Sequence, residues 1–156
     1  MSSHSQKTIK STINLYGVGL HNGIKANLKV IPADENFGIK FCRTDIDKKD
    51  LIDANYQNVV EPILCTKIKN KNGTTVSTVE HLMAAFFGEG IDNALVEIDA
   101  SEVPILDGSA NEFVEAIRSA GIREQKELRK YIKVLKKVEI QEEGKYISIE
   151  PLNNDL

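Results

Sequence analysis

The chain has the size and composition of a single globular domain with an ordinary core, since its 156 residues are 41% hydrophobic and 28% charged. Its formal net charge of -3 comes without a sustained basic stripe. This argues against duplex nucleic acid as a main partner, because phosphate binding needs clustered lysine and arginine.

The first part of the chain predicts a flexible end followed by two strands. Residues 1–7 are predicted to be a flexible N-terminus without the basic start and apolar stretch of a signal peptide. Residues 8–15 have extended character, and residues 24–30 alternate apolar and polar side chains with the period of a strand. The glycine-rich residues 17–23 between them look like a phosphate loop, but a strand follows where a dinucleotide-binding loop would open a helix. We therefore predict a hairpin connection.

The middle of the chain contains further short strands. Residues 38–43 and 63–69 are strand candidates, and the polar, aspartate-rich residues 44–58 separate them. Asn72-Gly73 predicts a tight turn.

Two capping-box patterns predict two helices. Ser77-x-x-Glu80 precedes an apolar run and predicts a helix that ends near residues 88–90. Ser109-x-x-Glu112 predicts a second helix that runs to about residue 120 and stops at Gly121. Residues 93–98, between the helices, have the composition of a buried strand.

Strands before and between two helices, without regular alternation, predict an α+β two-layer sandwich with a mostly antiparallel sheet and helices on one face. The first domain is expected over residues 8–122, and the charged residues 123–130 are expected to be a linker. Residues 131–156 contain two alternating strands, and a lone hairpin is marginal in water. We therefore expect them to be the opening β-hairpin of an incomplete second domain of similar type.

Two cysteines without a CxxC spacing, Cys42 and Cys65, favour a reduced intracellular compartment. No run approaches the ~20 apolar residues that a membrane-spanning helix needs. A cytoplasmic protein without a stable membrane anchor is expected.

Glu80 and His81 place a possible general base beside a possible metal ligand on the first helix. Among the three histidines, His81 alone lies in an apolar helix next to a carboxylate. The same residues have a purely structural interpretation, in which Glu80 caps the helix through the amide of Ser77 and His81 binds nothing. The residues by themselves leave both interpretations open.

Six motifs in order and spacing resemble the UDP-3-O-acyl-N-acetylglucosamine deacetylases, zinc amidohydrolases of lipid A biosynthesis in Gram-negative bacteria. The motifs are GVGLH at 17–21, RTD at 43–45, LCT at 64–66, STVEHL at 77–82, GIDN at 90–93 and PILDGSA at 104–110. The resemblance covers essentially the whole chain. It implies hydrolysis of the acetamide of UDP-3-O-acyl-N-acetylglucosamine, with zinc as cofactor and release of acetate.

The resemblance also implies that His81 is a zinc ligand and that Glu80 is the general base toward the attacking water. Adjacent residues on a helix diverge by ~100°, so ligand and base can approach the water from different sides. The family's HKxxD motif, which supplies a His and an Asp ligand from the second domain, is absent from this sequence. The isolated chain is therefore expected to bind zinc weakly and to be inactive.

The resemblance suggests four substrate contacts, each with a structural alternative. His21 is placed near the substrate phosphates, or is an exposed turn histidine without a role. Leu64 and Cys65 are placed on the active-site wall, or in a plain buried strand. Lys145 is placed near the nucleotide diphosphate, or on a solvated strand face. Asp107 is expected to be a structural turn residue.

The alternative function is a noncatalytic binding or scaffold module of the same fold, because fold similarity alone does not establish activity. Under that alternative, Glu80→Gln would leave the function of the protein intact.

Overall fold

The computed structural model describes residues 4–46, 50–61 and 63–152. In chain order the strands are β1 (Ser5–Ile9), β2 (Ile13–Val18), β3 (Lys25–Pro32), β4 (Ile39–Arg43), β5 (Leu51–Asp53), β6 (Lys67–Lys69), β7 (Thr75–Ser77), β8 (Ala94–Ile98), β9 (Ile122–Leu128), β10 (Val138–Glu142) and β11 (Lys145–Ile149). The helices are α1 (Glu80–Glu89), α2 (Asn111–Ala120) and a short 3-10 helix (Tyr56–Asn58).

Five strands form the central sheet, in the order β2-β3-β8-β4-β5. Neighbours run antiparallel except β4 and β8, which are parallel. Alternate residues of β3 explain why one face is covered: Ala26, Leu28 and Val30 are buried, while the intervening side chains are exposed. The strand predicted from this alternation is confirmed.

The two helices pack against each other and cover the apolar face of this sheet. Leu82 and Phe86 of α1, and Phe113 and Ile117 of α2, recur at helical spacing and are buried in the same core cluster as the sheet residues. Burial of each such side chain stabilises the fold by ~1.5–3 kcal/mol. The predicted α+β two-layer sandwich is confirmed. Neither helix in the described ranges has the length and apolar run needed to cross a membrane.

The helix ends are as predicted, but the starts differ. Gly90 and Gly121 follow the last helical residues with φ of 71° and 77°, where glycine is strongly favoured. The capping box at Ser77 is wrong, because Ser77 is the last residue of β7 and its Oγ donates to the Ser101 carbonyl at 3.2 Å. The box at Ser109 is half formed: Ser109 Oγ accepts from the Asn111 amide at 3.0 Å, but the Ser109 amide donates to Asp107 at 2.9 Å and not to Glu112.

Strands β1 and β9 pair antiparallel and correct two predictions at the ends of the first domain. Residues 5–7, expected to be flexible, lie in β1, and residues 1–3 lie outside the described ranges. Most of the expected linker over residues 123–130 is β9. Its charged side chains are exposed, as on an edge strand, while Gln125 is buried and donates to the Ala33 carbonyl at 2.9 Å. An exposed edge strand and a linker therefore have similar local sequences.

Residues 44–58, expected to be a polar connection, contain β5 and the 3-10 helix; residues 47–49 lie outside the described ranges. The sequence pattern of a strand is weak in β5, because Ile52 is its one fully buried side chain. The strand expected over 63–69 is limited to β6, since Leu64 has a φ of 60°. The turn at Asn72-Gly73 is confirmed, with Gly73 at a φ of 87°. Asp107 is confirmed as a turn residue whose Oδ1 accepts from the Ser109 amide at 2.9 Å.

Strands β10 and β11 form the predicted antiparallel hairpin, but the first strand, expected over residues 131–141, begins only at Val138. Glu143 and Gly144 make the turn at positive φ. Every residue of both strands is exposed. Residues 153–156 lie outside the described ranges, and the assignment of 131–156 to a second domain stays a prediction.

Candidate active site

Glu80 and His81 lie on the first turn of α1, and both are half-buried. Glu80 Oε2 accepts a hydrogen bond from the Thr66 amide at 3.1 Å. The interpretation of Glu80 as the cap of α1 is therefore wrong, because the carboxylate binds a different part of the chain and α1 has no side-chain cap.

Two hydrogen bonds join the backbone of Thr66 to the start of α1, one in which Thr66 donates and one in which it accepts. The Thr66 amide donates to Glu80, and the Thr66 carbonyl accepts from the Val79 amide at 3.4 Å. Leu64, two residues before Thr66, has a φ of 60°, and Thr78, two residues before Glu80, has a φ of 56°. Such conformations cost ~1–3 kcal/mol for residues other than glycine and persist only where the surroundings hold them. The Glu80 carboxylate is thus held by a strained and specific chain path.

The hairpin connection predicted over residues 17–23 is found at residues 19–24, because Gly17 and Val18 belong to β2. The Gly19 amide donates to the Ile24 carbonyl at 2.9 Å, and the Gly23 amide donates to the Gly19 carbonyl at 3.1 Å. The amides of His21 and Asn22 both donate to the carboxylate of Glu102. These four amides are therefore used within the chain, so they do not form a phosphate cradle.

Glu102 is the site residue that the sequence analysis missed. Its side chain is only 1% exposed, and it also accepts from Thr78 Oγ1 at 2.8 Å. Burial is the largest single effect and raises the pKa of Glu102, but the bonds from His21, Thr78 and Asn22 together outweigh it, so the pKa lies below its ordinary value. The available sequence signal is a carboxylate directly before the apolar residues 103–106, shortly after the buried strand β8.

A cleft of about 390 Å³ lies beside the glycine loop. The structure brings His21 and Cys65 together in its lining, which also includes Glu102, whereas Glu80 and His81 do not line it. Leu64 is outside the lining and 86% exposed, so its alternative placement in a plain buried strand is wrong; Cys65, half-buried, lies before β6 rather than in it. Lys145 begins the exposed hairpin strand β11 and is also outside the lining.

No group of three or more His, Cys, Asp or Glu side chains within the described ranges converges in a way that would hold a metal ion. His81 is half-buried on α1, while His21 is exposed on the loop and His4 contacts Tyr131 through Nδ1 at 3.3 Å.

Glu80 and His81 are thus adjacent on the first turn of the first helix of a two-layer α+β unit. The chain matches the family model described as UDP-3-O-acyl N-acetylglycosamine deacetylase over residues 6–156, and it belongs to that family. The resemblance found in the motifs is confirmed.

Three curated relatives illustrate the match, each a UDP-3-O-acyl-N-acetylglucosamine deacetylase. The proteins from Chromohalobacter salexigens and Mannheimia succiniciproducens are 49% and 45% identical over 148 residues, which is 95% of this chain and 48% of each relative. The protein from Shewanella halifaxensis is 44% identical over 146 residues, which is 94% of this chain and 48% of the relative. The chain thus spans about half the length of these relatives.

Proposed function

We propose that the protein containing this chain hydrolyses the acetamide of UDP-3-O-acyl-N-acetylglucosamine, with release of acetate in the committed step of lipid A biosynthesis. Family membership and the names of the relatives support the activity. The observation that carries the proposal is the carboxylate of Glu80, which lies beside His81 on the first turn of α1 and does not cap the helix.

Glu80 is the proposed general base. An ionised carboxylate accepts several hydrogen bonds, and the Thr66 amide at Oε2 orients this one without saturating its acceptor sites. In this role Glu80 takes the proton of the water that attacks the acetamide carbonyl and returns it to the departing amine. The half-buried position allows contact with a bound substrate while restricting bulk water.

His81 is the proposed zinc ligand of this chain. A half-buried imidazole is a donor that zinc prefers, and a catalytic zinc commonly has three protein ligands and an open position. The described residues provide no complete set, so we propose that a His and an Asp come from a second domain outside this chain. Zinc, when bound, supplies Lewis-acid polarisation of the substrate carbonyl. The isolated chain is accordingly proposed to bind zinc weakly and to be inactive.

The substrate contacts divide by their place in the structure. His21 and Cys65 line the 390 Å³ cleft. Because Glu102 occupies the amides of His21 and Asn22, the side chain of His21, which is exposed, is the group proposed to meet the substrate phosphates. Leu64 and Lys145 are exposed and stay proposed contacts. We propose a cytoplasmic location for this activity.

The test is acetate release from UDP-3-O-acyl-N-acetylglucosamine by the full-length protein and its Glu80→Gln variant. We expect kcat to fall by ~10²–10⁴-fold, the typical contribution of a general base, with an unchanged unfolding midpoint. Glu112→Gln is the matched control, because Glu112 is the first-turn carboxylate of α2. His81→Ala is expected to lower the zinc content measured by metal analysis.

Wild-type turnover in the Glu80→Gln variant would contradict this mechanism. A wild-type protein that releases no acetate but still binds the nucleotide sugar would support the noncatalytic binding module instead.

A further inference from the structure

Glu102 is a buried charged group for which the proposed chemistry has no direct use. We propose that Glu102 is a positioning residue that ties the glycine loop carrying His21 to the turn that precedes Glu80 and His81. The loop that faces the substrate and the first turn of α1 then keep one relative geometry. This inference rests on the proposed deacetylase function and adds to it a residue that acts through others.

On the loop side, two successive amides converge on the carboxylate. The His21 amide lies 3.0 Å from Oε1 and 3.2 Å from Oε2, and the Asn22 amide lies 3.0 Å from Oε2. Successive amides that point at one anion form the concave arrangement known as a nest. Here the anion is part of the chain, so these charge-assisted bonds hold the loop to residue 102.

Gly19 shows how closely the loop covers the carboxylate. A Cβ at this position would lie 2.5 Å from Glu102 Oε2, closer than real Cβ atoms approach any such atom. The backbone of the loop therefore rests directly on the charged group, and the absence of a side chain at Gly19 permits that contact.

On the helix side, the contact is Thr78. Its Oγ1 donates to Glu102 Oε1 at 2.8 Å, and the residue is 2% exposed. Thr78 has a φ of 56°, a conformation that a β-branched residue adopts only when its surroundings hold it. Because Thr78 lies two residues before Glu80, its backbone angles set the direction in which α1 begins.

The last residue of β7, Ser77, is hydrogen-bonded to the backbone on both sides of Glu102. The Ser77 amide donates to the Ser101 carbonyl at 2.9 Å, and the Val103 amide donates to the Ser77 carbonyl at 3.0 Å. The backbone of residue 102 is thus fixed relative to residue 77. The side chain of Glu102 in turn fixes the position of the glycine loop relative to both. One carboxylate thereby joins two segments 57 residues apart in sequence, counted from His21 to Thr78.

Within the described ranges, the groups that hydrogen-bond to the carboxylate are donors, namely the His21 and Asn22 amides and Thr78 Oγ1, which makes the choice of side chain specific. A glutamine at position 102 would be nearly isosteric but would replace one acceptor oxygen with an NH₂ group that itself donates. At least one contact, on the loop or on Thr78, would then be lost. Glu102→Gln therefore tests the connection with little change in volume.

The experiment uses the full-length protein and compares Glu102→Gln, Thr78→Val and the double variant. Thr78→Ser keeps the hydroxyl, and Glu97→Gln is a matched control on the outer face of the sheet, where Glu97 pairs with Lys29 at 3.7 Å. The measurements are kcat and KM for acetate release, zinc content, and hydrogen exchange of the Thr66 amide by NMR.

We expect Glu102→Gln and Thr78→Val each to lower kcat by roughly 10- to 100-fold, as for a misplaced catalytic group. The double variant should lose no more than the larger single loss, because both changes break the same connection. Exchange of the Thr66 amide should accelerate in both variants, since its acceptor Glu80 is displaced. The amides of β8 should stay protected, and Thr78→Ser and Glu97→Gln should resemble the wild type.

Unchanged kcat and unchanged Thr66 exchange in Glu102→Gln, with only a lower unfolding midpoint, would overturn the inference and leave Glu102 a purely structural residue. If Glu102→Gln does not fold, Thr78→Val decides by the same two measurements. If the wild type releases no acetate, the proposed function fails separately, and Thr66 exchange alone decides whether Glu102 positions the start of α1.

Discussion

Gly19→Ala is the sharpest stability test of the contact between the glycine loop and Glu102. The new methyl group would lie 2.5 Å from Glu102 Oε2 and would also crowd Asn22 Oδ1, which accepts from the Ile24 amide. Gly19 has no positive φ, so the substitution adds no backbone strain of its own. A change in the free energy of unfolding therefore measures the steric displacement of the Glu102 carboxylate.

The magnitude follows from the bonds at Oε2, which accepts from Asn22 at 3.0 Å and from His21 at 3.2 Å. The end of a glutamate side chain usually moves cheaply, but this one is 1% exposed and would move without solvent to replace its donors. Loss of a hydrogen bond to a charged group costs ~1.5–3 kcal/mol. The lower entropy of the unfolded alanine chain offsets ~0.4–1 kcal/mol. For one lost bond we expect a net loss of about 1.5 kcal/mol in the free energy of unfolding.

Urea unfolding of the wild type and the variant measures this loss as a lower midpoint at an unchanged m-value. Gly88→Ala is the matched control, because nothing lies within 4 Å of its added Cβ and Gly88 is inside α1. That control should be more stable than the wild type by ~0.5–1 kcal/mol. A Gly19→Ala variant as stable as the wild type would refute the reasoning about close contact.

Three further predictions concern pH, a buried amide and the terminal hairpin. Since the pKa of Glu102 is lowered below its ordinary 4.5, its ionised form stabilises the folded state above that pH, and the stabilisation is lost as the pH falls through the folded pKa. The difference in unfolding free energy between the wild type and Glu102→Gln should therefore shrink in urea titrations below pH 4.5, and a constant difference would contradict the assignment. Asn93→Ala should cost ~2–4 kcal/mol, because the Asn93 amide binds Gln6 and Gln125 at 2.8 Å each within the core; the exposed Asn14→Ala is its control in the same denaturant assay. A chain that ends after residue 131, which keeps the contact between His4 and Tyr131, should keep its unfolding midpoint, since every residue of β10 and β11 is exposed, whereas a large drop would show that the hairpin packs on the first domain.

Local sequence patterns predicted those features that depend on near neighbours along the chain. The alternation in β3 follows from the opposite directions of successive strand side chains, and the glycines at 90 and 121 end the helices because they adopt positive φ readily. The adjacent Glu80 and His81, with five other motifs, were enough to identify the family.

Local patterns misled where a side chain had two possible partners. Ser77-x-x-Glu80 has the spacing of a capping box, yet the Glu80 carboxylate binds the Thr66 amide, 14 residues away. The charged residues of β9 have the composition of a linker, and only pairing with β1, more than 110 residues earlier, makes them a strand.

The sequence by itself determined the fold class, the two helix ends, the hairpin at the glycine loop and the candidate catalytic pair. Only the tertiary structure decided which acceptor each buried donor uses, and with it the role of Glu102, whose carboxylate binds amides 81 and 80 residues away. The physical reason is that backbone preferences and side-chain periodicity act over a few residues, whereas a buried charge must be satisfied by whichever donors the folded chain brings within 3 Å or so.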